Sequence, residues 1–568
     1  AGLFNCDAPL ILRSGLRLDF TGIQATFRRL YTTGSWIEGV FTTPNWDTLD
    51  GGADLEDIQE DIELIGVRFD DDNNTRRGSF LTMKCDRLKI QGLHGVKQSA
   101  GWTTHFMGID ISIDDVNLDS YDASDDDLPG GTQVWSDTLH FSFVPGLKLT
   151  NVRAYAQDDC IAFTLDPSVW ATMLPKRDAV SRNIFVGGGL NLRSKMANSI
   201  RVGCEPIYGD GALPCDADVA YDNLTVEGIA AYSPIDDHVR VAPIVILEDD
   251  RDNATQRHGL ITIRNLTGRA DVDTGGTSIV QIIGQKSGET ADRNFDTVVL
   301  DGIAATNGVA SSGRKIAASG VRNLVLRNID LDEDTPSVIP AATGIQTERC
   351  DRITVDNVRA KHRSSVGIAA FAYYDELRIS DSRFSGGVAD AGTDEYDGVY
   401  LVPNSGGTLQ ISNVTVRDAA RAFREGATHD DGNVQAQQVK LVDIAFPTLP
   451  ATVHAALKLS QSDTIGSVGI NPVTAATGTP AMTGVITSFN VASILKNGTG
   501  DYTINWTAAA PSGDYGYEFG NGTAGVLTAL LVSNSTSALR ILIKDAAGTN
   551  TDPTGEFWVR AYTTALRT

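Results

Sequence analysis

The sequence predicts an all-β protein in which a right-handed parallel β-helix, a solenoid of stacked strands, is followed by a small antiparallel β-domain. Three observations predict this fold class: a strand phrase that recurs along most of the chain, the near absence of helical periodicity, and uneven spacing of the copies. A propeller would need an even period of roughly 40 to 50 residues. Uneven gaps favour a β-helix, because its loops can lengthen at one corner without disturbing the stack. The right hand follows from the usual chirality of parallel crossovers.

The recurring phrase is an apolar–x–apolar strand, often one Asn, Asp or Gly, and then a second apolar–x–apolar strand. Each copy therefore predicts two short strands around a tight bend. One copy cannot bury its apolar face, but a stack buries a continuous column, so we predict the β-helix over residues 1–445. The copies lie at residues 16–27, 62–69, 88–96, 111–118, 147–156, 224–233, 261–270, 298–307, 324–331, 353–360, 377–386, 409–416 and 439–446.

The chain changes character after the last copy. Residues 446–485 are rich in Ala, Thr, Pro and Gly and predict a connector rather than a strand layer. Residues 486–568 contain alternating strand patterns, beginning with two strands around an Asn-Gly-containing turn at Asn497, which is a hairpin signal. This region predicts a small β-rich module, a sandwich, that serves for trimerisation or binding.

Composition excludes several classes of function. Of the 568 residues, 47 are Lys or Arg and 72 are Asp or Glu, so the formal net charge is −25. That charge disfavours duplex nucleic acid and anionic membranes as partners. With 41% hydrophobic residues the chain can bury a large core, and it lacks the run of about 18 apolar residues that a membrane span needs.

The densest polar signal lies between Gly108 and Asp166, where twelve Asp face only one Lys and one Arg. Asp137 and Asp159 are 22 residues apart, about one layer of a β-helix, and Asp158 adjoins the second of them. Stacked strands lie about 4.8 Å apart, so these three carboxylates are expected to converge. Crowded carboxylates raise one another's pKa, which leaves one as an acid and another as a base, the division of labour that glycoside hydrolysis requires. We predict Asp137, Asp158 and Asp159 as catalytic residues.

Other residues are candidates for substrate binding or for a rival site. We predict that His140, Trp135 and Trp170 contact substrate, since sugar rings stack on aromatic side chains and His140 adjoins the acidic motif, where it could also orient a carboxylate. A rival acidic cluster occupies residues 248–251, with further Asp and His at 236–238 and at His258. No cofactor is predicted. Ca²⁺ among the loop carboxylates is the alternative, although no EF-hand spacing is present.

Around the acidic residues the sequence resembles the polygalacturonase-like members of the pectin-lyase-like β-helix group. Their Asn-Thr-Asp-Gly motif is followed about one layer later by Asp-Asp, often within Asp-Asp-Cys-Ile; the counterparts here are SDT at 136–138 and DDCI at 158–161. The resemblance implies that Asp158 protonates the leaving oxygen while Asp137 and Asp159 activate water. The family's Arg-Ile-Lys corresponds at best to RVG at 201–203, which makes Arg201 a substrate-orienting candidate.

The whole chain also resembles bacteriophage tailspikes, in which a β-helix with carbohydrate-cleaving loops precedes a small β-rich module. The hairpin at 491–506 looks like a terminal module of phage tail fibres. The resemblance implies a homotrimeric depolymerase of the virion tail, extracellular in action, that binds and hydrolyses a bacterial surface polysaccharide, either lipopolysaccharide O-antigen or capsule. It also implies attachment to the phage tail through an N-terminal region that this sequence lacks. A polysaccharide lyase on the same fold and a non-catalytic receptor-binding spike stay as alternatives.

Overall fold

The structure is a computed structural model, and its described residues form strands and no helix. It describes residues 2–31, 39–44, 58–70, 79–96, 103–120, 137–164, 180–195, 197–203, 220–233, 243–249, 256–270, 278–284, 293–307, 315–333, 344–362, 369–386, 397–403, 407–417, 421–425, 434–442, 464–470, 485–489, 491–506, 515–521, 528–535, 537–551 and 557–563. Within these ranges no helix is long and apolar enough to cross a membrane.

The chain divides into two compact units, Ala1–Asp375 and Glu376–Thr568. The first contains strands β1 (Gly2–Cys6), β2 (Leu10–Ile11), β3 (Arg17–Asp19), β4 (Ala25–Arg29), β5 (Gly39–Thr42), β6 (Gln59–Glu60), β7 (Glu63–Asp70), β8 (Ser79–Asp86), β9 (Lys89–Val96), β10 (Thr104–Met107), β11 (Ser112–Asp119), β12 (Leu139–Phe141), β13 (Lys148–Ala156), β14 (Ile161–Thr164), β15 (Val180–Ser194), β16 (Ile200–Gly203), β17 (Ala220–Ser233), β18 (Val245–Glu248), β19 (His258–Ala270), β20 (Val280–Ile283), β21 (Phe295–Asn307), β22 (Ile316–Ser319), β23 (Val321–Glu333) and β24 (Ile345–His362).

Strands of the first unit pair in parallel with strands of the next layer, as in a β-helix. One series runs β7–β9–β11–β13–β15–β17–β19–β21–β23. A second series runs β8–β10–β12–β14–β16–β18–β20–β22–β24. Because each strand skips its neighbour in sequence and pairs one turn later, the chain winds as a solenoid. The predicted all-β, parallel β-helix class is confirmed.

The bend residue of the recurring phrase has a left-handed backbone in layer after layer, with φ between 51° and 74°. Asn and Asp tolerate this region better than other side chains, and Gly adopts it without steric cost, which is why the phrase carries one of these three. The amide of Asn357 donates to Asn328 Oδ1 at 2.8 Å, so the bends also hydrogen-bond from layer to layer. In the first unit these residues are Gly66, Gly92, Asp115, Asn151, Gly188, Gly228, Asn265, Gly302, Asn328 and Asn357.

The core is a column of apolar side chains enclosed by the layers. In β10, β12 and β14 the rings of Phe106, Phe141 and Phe163 stack with centroids 5.4 and 5.1 Å apart, and all three are fully buried. The alternate side chains of these short strands point away from the column. His140 is one of them, so the packed column holds the strands that carry the candidate site.

The second unit contains both parallel and antiparallel strands. Its elements are β25 (Ala369–Ser380, which begins in the first unit), β26 (Arg383–Gly386), β27 (Asp397–Pro403), β28 (Thr408–Arg417), β29 (Arg421–Glu425), β30 (Val434–Val442), β31 (Thr464–Ile470), β32 (Val485–Phe489), β33 (Val491–Gly498), β34 (Asp501–Trp506), β35 (Tyr515–Asn521), β36 (Thr528–Asn534), β37 (Ala538–Lys544) and β38 (Phe557–Thr563). Parallel pairing continues from β25 through β28 to β30 and between β27 and β29.

The later strands form two four-stranded antiparallel sheets, ordered β32–β31–β38–β35 and β33–β34–β37–β36. The predicted hairpin is present as β33–β34, with Gly500 in the left-handed region and the backbone oxygen of Ile543 only 2.6 Å from where a Cβ would lie. Strand β31 lies inside the segment predicted as a connector, because its backbone pairs with β32 and β38 despite a weak strand pattern.

Candidate active site

The candidate site begins where β12 and β14 begin on successive layers. Leu139 pairs with Ile161, which places Asp137 and Asp159, each two residues earlier, on adjacent layers. The backbone N–H of Asp159 donates to Asp137 Oδ1 at 3.1 Å. The 22-residue spacing therefore produces the convergence that the sequence predicted.

Asn198 occupies the position that corresponds to Asp159 on the next layer, because Ile161 pairs with Ile200. Its backbone N–H and its side-chain amide both donate to Asp159 Oδ1, at 2.7 and 2.8 Å. Sequence reasoning missed Asn198, although a signal was present. Asp137, Asp159 and Asn198 each lie two residues before an apolar–x–apolar strand.

The three predicted carboxylates form one group, which we call the carboxylate cluster: Asp137, Asp158 and Asp159. Each has a carboxylate oxygen that lies within 4.8 Å of one from each of the others. Asp137 is 5% exposed and Asp159 is 2% exposed, whereas Asp158 is half-buried. Two carboxylates are therefore enclosed and held by N–H donors, while the third reaches toward solvent.

His140 is buried and hydrogen-bonded to the carboxylate of Asp137. Its Nδ1 lies 2.8 Å from Asp137 Oδ2 and its Nε2 lies 2.8 Å from Thr164 Oγ1. With 1% of the residue exposed and both nitrogens in hydrogen bonds, His140 has no free edge for a sugar. We therefore revise its predicted role from substrate contact to positioning of Asp137.

A second buried histidine adjoins the first. The rings of His105 and His140 meet edge to face with centroids 4.7 Å apart, and His105 Nε2 lies 2.7 Å from Ser142 Oγ. Burial, with a smaller contribution from the neighbouring charge of His140, holds the pKa of His105 well below its usual range. His105 is therefore uncharged at neutral pH.

Arg201 connects the cluster to the next layer. Its Nη1 lies 3.8 Å from Asp159 Oδ2, and its Nη2 lies 3.3 Å from Glu248 Oε2. The side chains of Arg201 and Glu248 are 20% and 29% exposed, so both can meet a ligand. Parallel pairing of Gly203 with Glu248 on β16 and β18 brings the glutamate within reach. Arg201 thus adjoins the carboxylate cluster, and Glu248 joins it from the rival cluster; the substrate-orienting role of Arg201 stays a prediction.

The rest of the rival cluster divides between the core and residues outside the described ranges. Asp249 and His258 are fully buried, with His258 Nε2 3.1 Å from Asp249 Oδ2. The N–H of Tyr221 donates to His258 Nδ1, which completes an interior polar pair rather than a surface site. The carboxylates and histidine at 236–238, residues 250–251, Trp135 and Trp170 lie outside the described residues.

The carboxylate cluster is also the described group whose spacing could hold a cation, since hard cations take carboxylate oxygens. A cation there would compete with the donors that already occupy Asp137 and Asp159. Two enclosed carboxylates beside one half-buried carboxyl group can transfer protons to and from a bound ligand.

Comparison with known proteins gives structural neighbours only, since no protein-family model and no curated protein matches the chain. A variant tailspike of E. coli bacteriophage HK620, solved with a pentasaccharide, is 9% identical with a TM-score of 0.40, over 99% of this chain and 85% of that chain. The Pseudomonas phage phi297 tailspike is 13% identical with a TM-score of 0.32, over 81% of this chain and 66% of that chain. The phiAB6 tailspike, bound to oligosaccharides of Acinetobacter baumannii surface polysaccharide, is 9% identical with a TM-score of 0.13, over 66% and 81%. The similar structures are thus phage tailspike proteins.

Proposed function

We propose that the chain is a phage tailspike depolymerase that hydrolyses a glycosidic bond in a bacterial surface polysaccharide, O-antigen or capsule. One observation carries the reaction: the carboxylate cluster joins two enclosed, hydrogen-bonded carboxylates to a third that is half-buried and accessible. The resemblance of the β-helix and the terminal hairpin to tailspikes supports the polymer class, a homotrimer and a place on the virion tail.

The steps follow from the positions of the groups. Asp158, the accessible carboxyl group, donates its proton to the glycosidic oxygen as the bond to the anomeric carbon breaks. Water attacks the anomeric carbon and passes its proton to the pair formed by Asp137 and Asp159. The products are a sugar hydroxyl and a new reducing end, and proton exchange with solvent resets the acid. Hydrogen bonds from Asn198 and His140 favour the ionised pair before the reaction begins.

The charge around the cluster favours hydrolysis over elimination. A lyase needs a cation over the uronate carboxylate of its substrate, and Arg201 already lies between Asp159 and Glu248. An anionic sugar would meet the carboxylates of Asp137, Asp159 and Glu248 at this place, which repel it. A neutral or amino-sugar polymer fits the site better.

The test is a panel of purified O-antigen and capsular polysaccharides, followed by reducing ends and by the absorbance of unsaturated uronates. New reducing ends without that absorbance are expected from hydrolysis. Asp158→Asn and Asp159→Asn keep the side-chain volume and should lower turnover by about two to four orders of magnitude. Glu348→Gln, an exposed carboxylate on β24, is the matched control and should retain activity.

Other outcomes would replace the proposal. Absorbance of unsaturated uronates would establish the lyase. Equal affinity for intact and treated glycan, with no new ends, would establish a non-catalytic spike. Unchanged turnover in both Asp158→Asn and Asp159→Asn would move the reaction away from the carboxylate cluster.

A further inference from the structure

Glu248 is a fourth carboxylate at the edge of the candidate site, and sequence reasoning did not assign it there. Its Oε2 lies 3.3 Å from Arg201 Nη2, while the opposite nitrogen of the guanidinium lies 3.8 Å from Asp159 Oδ2. The guanidinium thus lies between two carboxylates. Asp159 belongs to the preceding layer of the stack and Glu248 to the following one.

From this arrangement we propose that Glu248 is a specificity-determining residue, which neutralises Arg201 and so makes the site select sugar units without a carboxylate. This inference rests on the proposed function, because it concerns the substrate of the same site. The chemical class that fits is a neutral or amino sugar. Its hydroxyl or ammonium groups donate hydrogen bonds to Glu248 Oε, and its hydroxyl oxygens accept them from the N–H groups of Arg201.

Partial exposure allows Glu248 to act on a ligand directly. Its side chain is 29% exposed and that of Arg201 is 20% exposed, so each retains a surface that a bound sugar can reach. The next residue, Asp249, is fully buried, so a partly exposed and an interior carboxylate are adjacent at the end of this strand. Both Arg201 and Glu248 lie on short strands of the stack, so their separation is held by backbone pairing.

The electrostatic consequence follows from counting charges. Asp159 and Glu248 both lie beside the guanidinium, and Asp137 adjoins Asp159, so a uronate brought to Arg201 meets more negative than positive charge. Removing the charge of Glu248 takes away the carboxylate that lies 3.3 Å from Arg201. A uronate carboxylate can then take the place of that partner, for which a guanidinium is well suited.

The experiment uses the full chain and pairs of polysaccharides that differ only in charge. Each uronate-containing bacterial polysaccharide is compared with its carboxyl-reduced form, in which the uronate is a neutral hexose. Initial rates and equilibrium binding are measured for both. The wild-type protein should prefer the reduced form. Glu248→Gln should decrease that preference by about fivefold, the upper end for one partly exposed ion pair.

Two further variants control for structure and for mechanism. Glu348 is aligned with Glu248 across successive parallel strands, through Ile283 and Ser319. Glu348→Gln therefore removes the same charge at a position away from Arg201. It should leave the preference unchanged. Arg201→Gln combined with Glu248→Gln should abolish the acceptance of uronate that Glu248→Gln alone creates, which isolates the pair as the cause. Unfolding midpoints confirm that all variants are folded.

The outcomes separate this inference from the proposed hydrolysis. If Glu248→Gln and Glu348→Gln show the same preference as the wild type, the inference is overturned whether or not the polymer is cut. If no polymer is cut but binding shows the expected shift in Glu248→Gln, the inference stands and the hydrolase proposal fails. Absence of binding to every charged and reduced glycan overturns the inference too.

Discussion

His140 provides a direct test of how the site is supported. The perturbation is His140→Phe, which keeps a planar ring in the buried space and removes both hydrogen bonds, to Asp137 Oδ2 and Thr164 Oγ1 at 2.8 Å each. Since Asp137 is 5% exposed, water cannot easily replace the lost donor.

The magnitude follows from those two hydrogen bonds. A buried group left without its partner costs about 1–3 kcal/mol, so the two together should lower the free energy of unfolding by about 2–6 kcal/mol. Turnover should fall by about a hundredfold, because a carboxylate displaced by about 1 Å loses that much. His140→Asn places an amide N–H near the position of Nδ1 and should recover part of the turnover.

The assay combines chemical unfolding with turnover at saturating glycan, well below the unfolding midpoint. The matched control is His105→Phe, which removes a hydrogen bond to Ser142 in the adjoining layer. It should lower stability and leave turnover within about threefold, since it does not remove a donor to the carboxylate cluster. Equal losses of turnover in the two variants, or no recovery in His140→Asn, would refute the positioning role.

Four further expectations follow. Because burial lowers the pKa of His105, the histidine binds a proton when the protein unfolds in mild acid. The free energy of unfolding should therefore fall as pH drops below about 6.5, by at most about 1.4 kcal/mol per pH unit. Denaturant titrations of His105→Phe should show a weaker dependence on pH. Asp249→Asn should lower the free energy of unfolding by about 1–3 kcal/mol, because it weakens the buried contact with His258, while turnover at low temperature stays unchanged. Loss of turnover without loss of stability would instead favour the rival acidic cluster as the active site. Light scattering should give three times 60.6 kDa, and Leu531→Glu on the exposed apolar edge strand β36 should reduce that mass; a stable wild-type monomer at micromolar concentration would exclude the trimer. Chelation by EDTA should leave turnover unchanged, whereas loss that Ca²⁺ restores would place a cation in the carboxylate cluster.

Local sequence determined the layers of this protein. The alternating apolar pattern predicts the strands, and the Asn, Asp or Gly between them predicts the bend, because few other residues accept a left-handed backbone. The 22-residue interval between Asp137 and Asp159 also predicted their contact, since it approximates one turn of the solenoid.

Only the tertiary structure decided how the site is completed. Asn198 precedes β16 and Glu248 ends β18, and spacing along the chain does not set which residues pair on adjacent layers; the hydrogen-bond register does. Burial likewise separated His140, enclosed behind Asp137, from a substrate-facing role. A sequence records that these polar residues stand near strand ends. Whether each one faces the interior, a neighbour or the solvent depends on the layers stacked above and below it, which come from distant parts of the chain.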